Sequence, residues 1–211
     1  MIIAIDGPAA AGKGTLARRI AGALGFAHLD TGGLYRAVGL GVLRAGQDPA
    51  DAKAALGIAA ALDQADLSDP ALREEETGKA ASIVSVHPQV RAALLDFQRN
   101  FARNPPHKAA GAVVEGRDIG TVVCPDADVK LFIDADLEVR AKRRFAELRA
   151  QDPSLTLHAV RAEMASRDER DRNRADSPLV AAPDAHLLDT TVLDIDGAFD
   201  AAMKLIGSAK K

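Results

Sequence analysis

Residues 2–15 read Ile2-Ile3-Ala4-Ile5-Asp6-Gly7-Pro8-Ala9-Ala10-Ala11-Gly12-Lys13-Gly14-Thr15, and this stretch carries three elements in a row. The run Ile2 to Asp6 is short, apolar and stopped by glycine, the pattern of a buried parallel strand. Leu16, Ile20 and Leu24 then fall on one stripe of a helix. Between strand and helix lies Gly-x4-Gly-Lys, the spacing of a phosphate-binding loop (P-loop). Glycines let the backbone wrap an anion closely, and amides at a helix N-terminus point at its oxygens. Lys13 is placed to reach the β- and γ-phosphates of a nucleotide. Gly14 stands where many such loops carry a Ser or Thr that ligates Mg²⁺, so no direct side-chain ligand is expected. The metal would be held by phosphates and water, with Thr15 reaching it through water.

Outward from this loop, similar short apolar runs recur at Ala27-His28-Leu29, Ala112-Val113-Val114, Val129 to Ile133 and His186-Leu187-Leu188. With the first, they make about five strands. Helical stripes separate them: Leu137, Ala141, Phe145 and Leu148, then Ile195, Phe199, Met203 and Ile206. Alternating strands and helices imply an α/β three-layer sandwich around a central parallel sheet. Two regions break the alternation. From Leu34 to Arg103 there are helix signals without a strand. Asp48-Pro49, Asp69-Pro70 and His87-Pro88 each place Pro where a helix can begin, the first two behind an Asp cap. From Pro153 to Pro178 the pattern is helical and rich in Arg and Asp. Both regions read as helical insertions on the α/β core. Lys210-Lys211 is the only biased tail.

Composition narrows the function. The 211 residues fit one domain with insertions, and 47% apolar residues are enough for a substantial core. The net charge of −3 opposes a general nucleic-acid binder, so an anion site must come from local Arg placement. Cys124 is the sole cysteine, which rules out an internal disulfide and a thiolate zinc site. Trp is absent and Tyr35 is the one tyrosine, so stacking on single strands is not expected. No signal peptide or apolar span is present. A cytoplasmic protein without nucleic-acid or membrane partners is expected.

The second chemical signal is Arg167-Asp168-Glu169-Arg170-Asp171-Arg172-Asn173-Arg174. On a helix, Arg167, Asp171 and Arg174 share a stripe, Arg170 lies beside it and Arg172 points elsewhere. Such a face suits a phosphate, with Asp171 orienting the guanidiniums; a solvated helix laced with ion pairs is the alternative. A phosphate-accepting phosphate needs no strong base, because its second pKa is about 6. Alignment and charge stabilisation suffice. The five His residues are scattered and read as structural or surface positions.

Over most of its length the chain resembles the cytidylate kinases, nucleoside-monophosphate kinases of bacterial type. The resemblance rests on Asp6 to Thr15, Leu29-Asp30-Thr31-Gly32 with Tyr35-Arg36, Ala80-Ala81-Ser82, Pro88 with Val90-Arg91, Gln98-Arg99, Gly116-Arg117-Asp118 with Gly120-Thr121-Val122-Val123, Pro125-Asp126-Ala127, and Arg167 to Arg174. It implies phosphoryl transfer from ATP, with Mg²⁺, to CMP or dCMP by a monomer. It implies a P-loop core of residues 1–33, 107–152 and 179–211, a nucleoside-monophosphate-binding (NMP-binding) region 34–106 and a lid 153–178. Gly7, Pro8, Ala9, Ala10, Ala11, Gly12, Lys13, Gly14 and Thr15 would hold ATP, with Arg170 and Arg172 on its side of the lid. Thr31, Tyr35, Arg36, Ser82, Arg91, Arg117, Asp118, Arg167, Asp171 and Arg174 would bind CMP. Arg36, Arg117 and Arg174 would take its phosphate, Ser82, Arg91 and Asp118 its base, and Arg167 and Asp171 its sugar. Lys13, Arg117, Arg167 and Arg174 would be catalytic.

Other readings of these residues stay open. Asp30-Thr31-Gly32 could cap a helix, Tyr35 could pack in a core, Gly116-Arg117-Asp118 could be a strand-end turn, and Ser82 and Arg91 could be surface positions. The chain departs from the family pattern at Thr31, where Ser is frequent, at Glu115, where Asp is common, and between about Asp63 and Thr77, where a β-rich insert is replaced by a short charged stretch. A UMP/CMP, shikimate or gluconate kinase and a non-catalytic ATP-binding sensor are the alternative functions.

Overall fold

A computed structural model describes residues 1–62, 67–150 and 152–208; part of the shortened stretch after Asp63, and Lys210-Lys211, lie outside them. Five strands, β1 (Ile2–Asp6), β2 (Ala27–Asp30), β3 (Ala112–Gly116), β4 (Val129–Asp134) and β5 (His186–Asp189), form one sheet in the order β2-β3-β1-β4-β5. β1 runs parallel to both β3 and β4, and β4 parallel to β5. The register pairs Asp6 with Gly116 on one side and with Phe132 on the other, and Asp134 with Asp189. The carboxyl ends of β1, β3 and β4 therefore line up, and the loops leaving them emerge at one edge of the sheet, where α/β folds bind ligands.

The chain divides into two compact units, residues 1–29 with 101–211, and residues 30–100. In the first, helices α1 (Lys13–Leu24), α6 (Leu137–Leu148), α7 (Leu157–Asn173) and α8 (Ile195–Ser208) accompany the sheet. Its core joins Ile3 and Ile5 of β1 to Leu16 and Ile20 of α1, Val113, Leu131 and Ile133 of the sheet, and Ala202 and Ile206 of α8. The stripe read for α8 holds at Ile206, but Ile195 lies exposed at the helix start. Asp136 caps α6 by accepting from the amides of Glu138 and Val139, and Thr156 caps α7 by accepting from Ala159. A smaller cluster of Ala141, Val160 and Met164, flanked by Leu137 and Phe145, holds α7 on α6.

The second unit contains α2 (Thr31–Arg44), α3 (Ala52–Ala60), α4 (Glu75–Val84) and most of α5 (Pro88–Arg103), with a 3₁₀ turn at Pro70–Arg73. It has its own core of Leu34, Val38, Val42, Ala55, Val84, Val90 and Leu94. Gly39 lets α2 and α4 approach closely: a Cβ there would lie 2.9 Å from the amide nitrogen of Ala81. Two of the three expected helix starts hold. Asp69 accepts from Ala71 at the 3₁₀ turn, and α5 begins at Pro88. The third moves by three residues: Asp51, not Asp48, caps α3, accepting from Lys53 and Ala54. Asp48 instead closes a turn onto the amide of Ala50. No helix among the described residues is long and apolar enough to cross a membrane.

Candidate active site

The loop after β1 is shaped by backbone that few residues tolerate. Gly7 has φ of 144°, and a Cβ there would sit 1.9 Å from the carbonyl oxygen of Ile133 on β4. Ala10 is left-handed at φ 56°, unusual for a residue with a side chain, and Gly12 takes φ 91° before α1. Gly12 offers no side-chain cap, so the first turn of α1 is open to an anion. Three loop carbonyls are engaged by side chains. Lys13 Nζ donates to Pro8 O at 2.6 Å, Arg140 Nη1 to Ala9 O at 3.3 Å, and Thr190 Oγ1 to Ala11 O at 3.0 Å. In a trans peptide the next residue's N–H points opposite to the carbonyl. The amides of Ala10 and Gly12 therefore face away from Arg140 and Thr190.

Asp6 ties this loop to the next one. Its buried carboxylate accepts from the amides of Ile119 and Gly120, both at 2.7 Å. These amides open a π-helical turn, Ile119–Val123, immediately after Arg117 and Asp118. Burial pushes the Asp6 carboxyl up to about 6, against the lowering effect of the two amides and Lys13, with nearby Asp118 adding to the rise. Asp118 is itself buried. Arg117 Nε donates to Asp171 Oδ2 at 3.0 Å. Burial alone would raise the Asp171 carboxyl, but Arg117, Arg167 and Arg174 around it hold it below the usual range. Arg117, Arg167, Asp171 and Arg174 thus form one charged group in the first unit.

One detail of the sequence expectation changes. α7 ends at Asn173, and Arg174 follows with extended backbone at ψ 135°, so it reaches Asp171 from the cap position and not from a helical stripe. The face that α7 buries is Val160, Met164, Asp168 and Asp171. Arg170 and Arg172 are exposed, and Arg170 donates to Ser166 Oγ at 2.8 Å.

The remaining expected residues gather in the second unit. Asp30 caps α2 through Gly33 N and accepts from Arg36 at 2.5 Å, so the capping role is real and also fixes Arg36. Thr31 is buried at the first position of α2. Tyr35 is half-buried against the second unit's core, and the Arg91 guanidinium lies 5.5 Å from its ring centroid. Ser82 is buried on α4, and Arg91 Nη1 donates to Ser85 O at 3.4 Å, so neither is a loose surface group. His87 Nε2 donates to the carbonyl of Pro49 at 3.0 Å, a structural role.

Sequence reading gave no site role to five contributors. Glu115, buried at the end of β3, lies beside the loop: its carboxylate oxygens are 3.4 and 3.5 Å from where a Gly14 Cβ would stand. His28 Nε2 meets the same carboxylate at 3.0 Å. Thr190 is reached from the end of β5, and its only signal is its place after a strand. Arg140 and Asp168 form an ion pair of 2.7 Å with side chains 3% exposed, where a helical Arg ordinarily reads as a solvent-facing residue. No group of three or more His, Cys, Asp or Glu side chains able to hold a metal ion gathers among the described residues.

A parallel sheet of this order, a glycine loop leading from its central strand into a helix, and an arginine cluster at the same edge define the class of P-loop phosphate-binding proteins. The fold alone is shared at 14% identity and a TM-score of 0.58 with an uncharacterized protein from Eubacterium ventriosum, covering 99% of both chains. The profile of the cytidylate kinase family matches residues 3–208. Proteins named cytidylate kinase are similar along the whole chain: 58% identical in Paramagnetospirillum magneticum with 99% of both chains covered, 56% in Rhodospirillum rubrum with 98% of this chain and 97% of that one, and 56% in Azorhizobium caulinodans with 100% of both. The chain belongs to the cytidylate kinase family.

Proposed function

We propose that this protein transfers the γ-phosphoryl group of ATP to CMP and dCMP, giving CDP and dCDP in pyrimidine nucleotide metabolism. The observation that carries the proposal is local. The phosphate loop and the Arg117-Asp118 turn leave adjacent strands at one edge of the sheet and are joined through Asp6. Gly7 to Thr15 hold the phosphates of ATP, with Lys13 at the transferring end. Residues 153–178 act as a lid whose exposed Arg170 and Arg172 serve the ATP side, and its closure excludes water. Arg117 and Arg174 bind the acceptor phosphate, Arg167 and Asp171 its sugar, and Asp118 the exocyclic amine of cytosine. In the region 34–106, Arg36 binds phosphate, while Ser82 and Arg91 read the base beside Thr31 and Tyr35. Residues 1–33, 107–152 and 179–211 are the supporting core. We place the protein in the cytoplasm as a monomer.

The acceptor phosphate is largely a dianion at neutral pH, so no residue needs to remove a proton. The chain supplies alignment and positive charge: Lys13, Arg117, Arg167 and Arg174 surround the transferring group as its charge spreads. The oxygen donors suited to Mg²⁺ entering with ATP are Thr15, exposed on the first turn of α1, and the Glu115 carboxylate against Gly14. When bound, Mg²⁺ neutralises charge on the β- and γ-oxygens.

Turnover with Mg-ATP and a panel of CMP, dCMP, UMP, AMP and GMP tests the assignment through ADP formed. CMP and dCMP should be favoured; preference for AMP or UMP overturns it. Asp118→Ala should shrink the preference for CMP over UMP by at least about tenfold, because uracil presents an acceptor where cytosine presents a donor. Unchanged discrimination in a folded variant would remove Asp118 from base recognition.

A further inference from the structure

We propose that the buried Arg140–Asp168 pair is a positioning strut that sets the phosphate loop and the arginine-bearing end of α7 in one frame, an inference that rests on the phosphoryl-transfer reading above. The Arg140 guanidinium touches three elements at once. Nε donates to Ala135 O at 2.8 Å where β4 leads into α6, Nη1 donates to Ala9 O at 3.3 Å in the loop, and Nη2 meets Asp168 Oδ2 at 2.7 Å on α7. The planar fork of Arg suits such divergent contacts, which a point-like ammonium cannot reproduce. A second contact runs in parallel: Ala10, the left-handed residue of the loop, packs against the Ala141, Val160 and Met164 cluster that joins α6 to α7. Asp168 is followed along the helix by Asp171, which holds Arg117, and is preceded by Arg167.

Stability alone is a poor reason for this pair. Asp168 Oδ1 is buried and meets no hydrogen-bond donor among the described residues. A buried ion pair with an unsatisfied oxygen is often no better than two apolar side chains of the same size. Its physical advantage is directional. It fixes the rotation of α7 about its axis, and hence where Arg167 and Asp171 project, relative to the carbonyl of Ala9.

The test separates position from stability. In the double variant Arg140→Met/Asp168→Leu, apolar side chains fill the site. Its thermal midpoint should stay within a few degrees of wild type. The KM for ATP should rise several-fold, and kcat should fall roughly 10- to 100-fold, the size of effect expected from a small misplacement of reacting groups. A mere loss of folded enzyme lowers kcat and leaves KM for ATP unchanged, so that result, like wild-type kinetics, overturns the proposal. If the double variant does not fold, Arg140→Lys decides. It keeps the charge opposite Asp168 but cannot hold Ala135, Ala9 and Asp168 together, and the same rise in KM for ATP with lowered kcat is expected. Unchanged KM for ATP in folded Arg140→Lys overturns the strut. Wild-type protein without CMP turnover in the same assay defeats the functional reading instead.

Discussion

At Asp6, charge and structure oppose each other. Its carboxylate is the acceptor for two amides that start the Ile119–Val123 turn, yet burial raises its pKa from 3.8 to about 6. The folded state therefore holds the proton more tightly than the unfolded chain. Asp6 adds stability that is complete below pH 3.8 and is lost as pH rises through about 6. Asp171 has the opposite sign: its lowered pKa contributes stability above the ordinary carboxylate range and loses it as pH falls. Asp6→Asn isolates the first effect. The unfolding free energy of wild type minus that of the variant should grow by about 2 kcal/mol between pH 7 and pH 4.5. Urea titrations at the two pH values check this, and a difference independent of pH would show that Asp6 does not titrate in that window. An amide side chain also offers one acceptor where the carboxylate offers two, so one of the amides at Ile119 and Gly120 loses its partner at every pH. The sequence showed Asp6 only as the end of an apolar strand. Its partners lie 113 and 114 residues away, a separation no local pattern encodes.

At the scale of elements, the strands and the glycine loop were readable because their signals are local: short apolar runs, a fixed spacing of glycines and a helical stripe. The cap of α3 was misplaced for an equally local reason. Asp48 and Asp51 both precede the helix, and only the geometry decides which carboxylate reaches the free amides. The chemistry of α7 was half legible. The spacing groups Arg167 with Asp171, but Asp168 is buried on the same face as Asp171, and its partner Arg140 sits on α6. Charged residues on a helix read as solvent-facing until a tertiary partner is known. The tightness of the loop against β4 gives a direct test at this scale. Gly7→Ala forces a Cβ to 1.9 Å from Ile133 O at a φ of 144° and should cost roughly 2–5 kcal/mol through strain and overpacking. Gly14→Ala, whose Cβ would meet Glu115 at an ordinary 3.4 Å, should stay within about 1 kcal/mol of wild type. Denaturant unfolding of the two variants would contradict this picture of the loop if their stabilities proved equal.

Across the molecule, the net charge of −3 supplies no attraction for a nucleotide, so the proposed activity depends on where the arginines are. Each compact unit carries a core of its own, Ile3 to Ile206 in one and Leu34 to Leu94 in the other. The phosphate loop belongs wholly to the first. A non-hydrolysable ATP analogue at 100 times its Kd should therefore stabilise that unit by about 2.7 kcal/mol. The chain has a convenient reporter for the other: Tyr35 is its only tyrosine and it has no tryptophan, so tyrosine fluorescence follows the second unit alone. Far-ultraviolet circular dichroism follows helices of both. On heating with the analogue, the dichroism midpoint should rise more than the Tyr35 midpoint, and Lys13→Ala should abolish the rise while leaving the ligand-free midpoint near wild type. Lys13 Nζ donates to Pro8 O inside the loop, and in the proposed function it is the charge that the ATP phosphates meet, so its loss is expected to weaken phosphate binding. Equal shifts of the two signals would mean that the chain unfolds as a single cooperative body despite its two cores, and an undiminished shift in Lys13→Ala would place the ATP phosphates elsewhere.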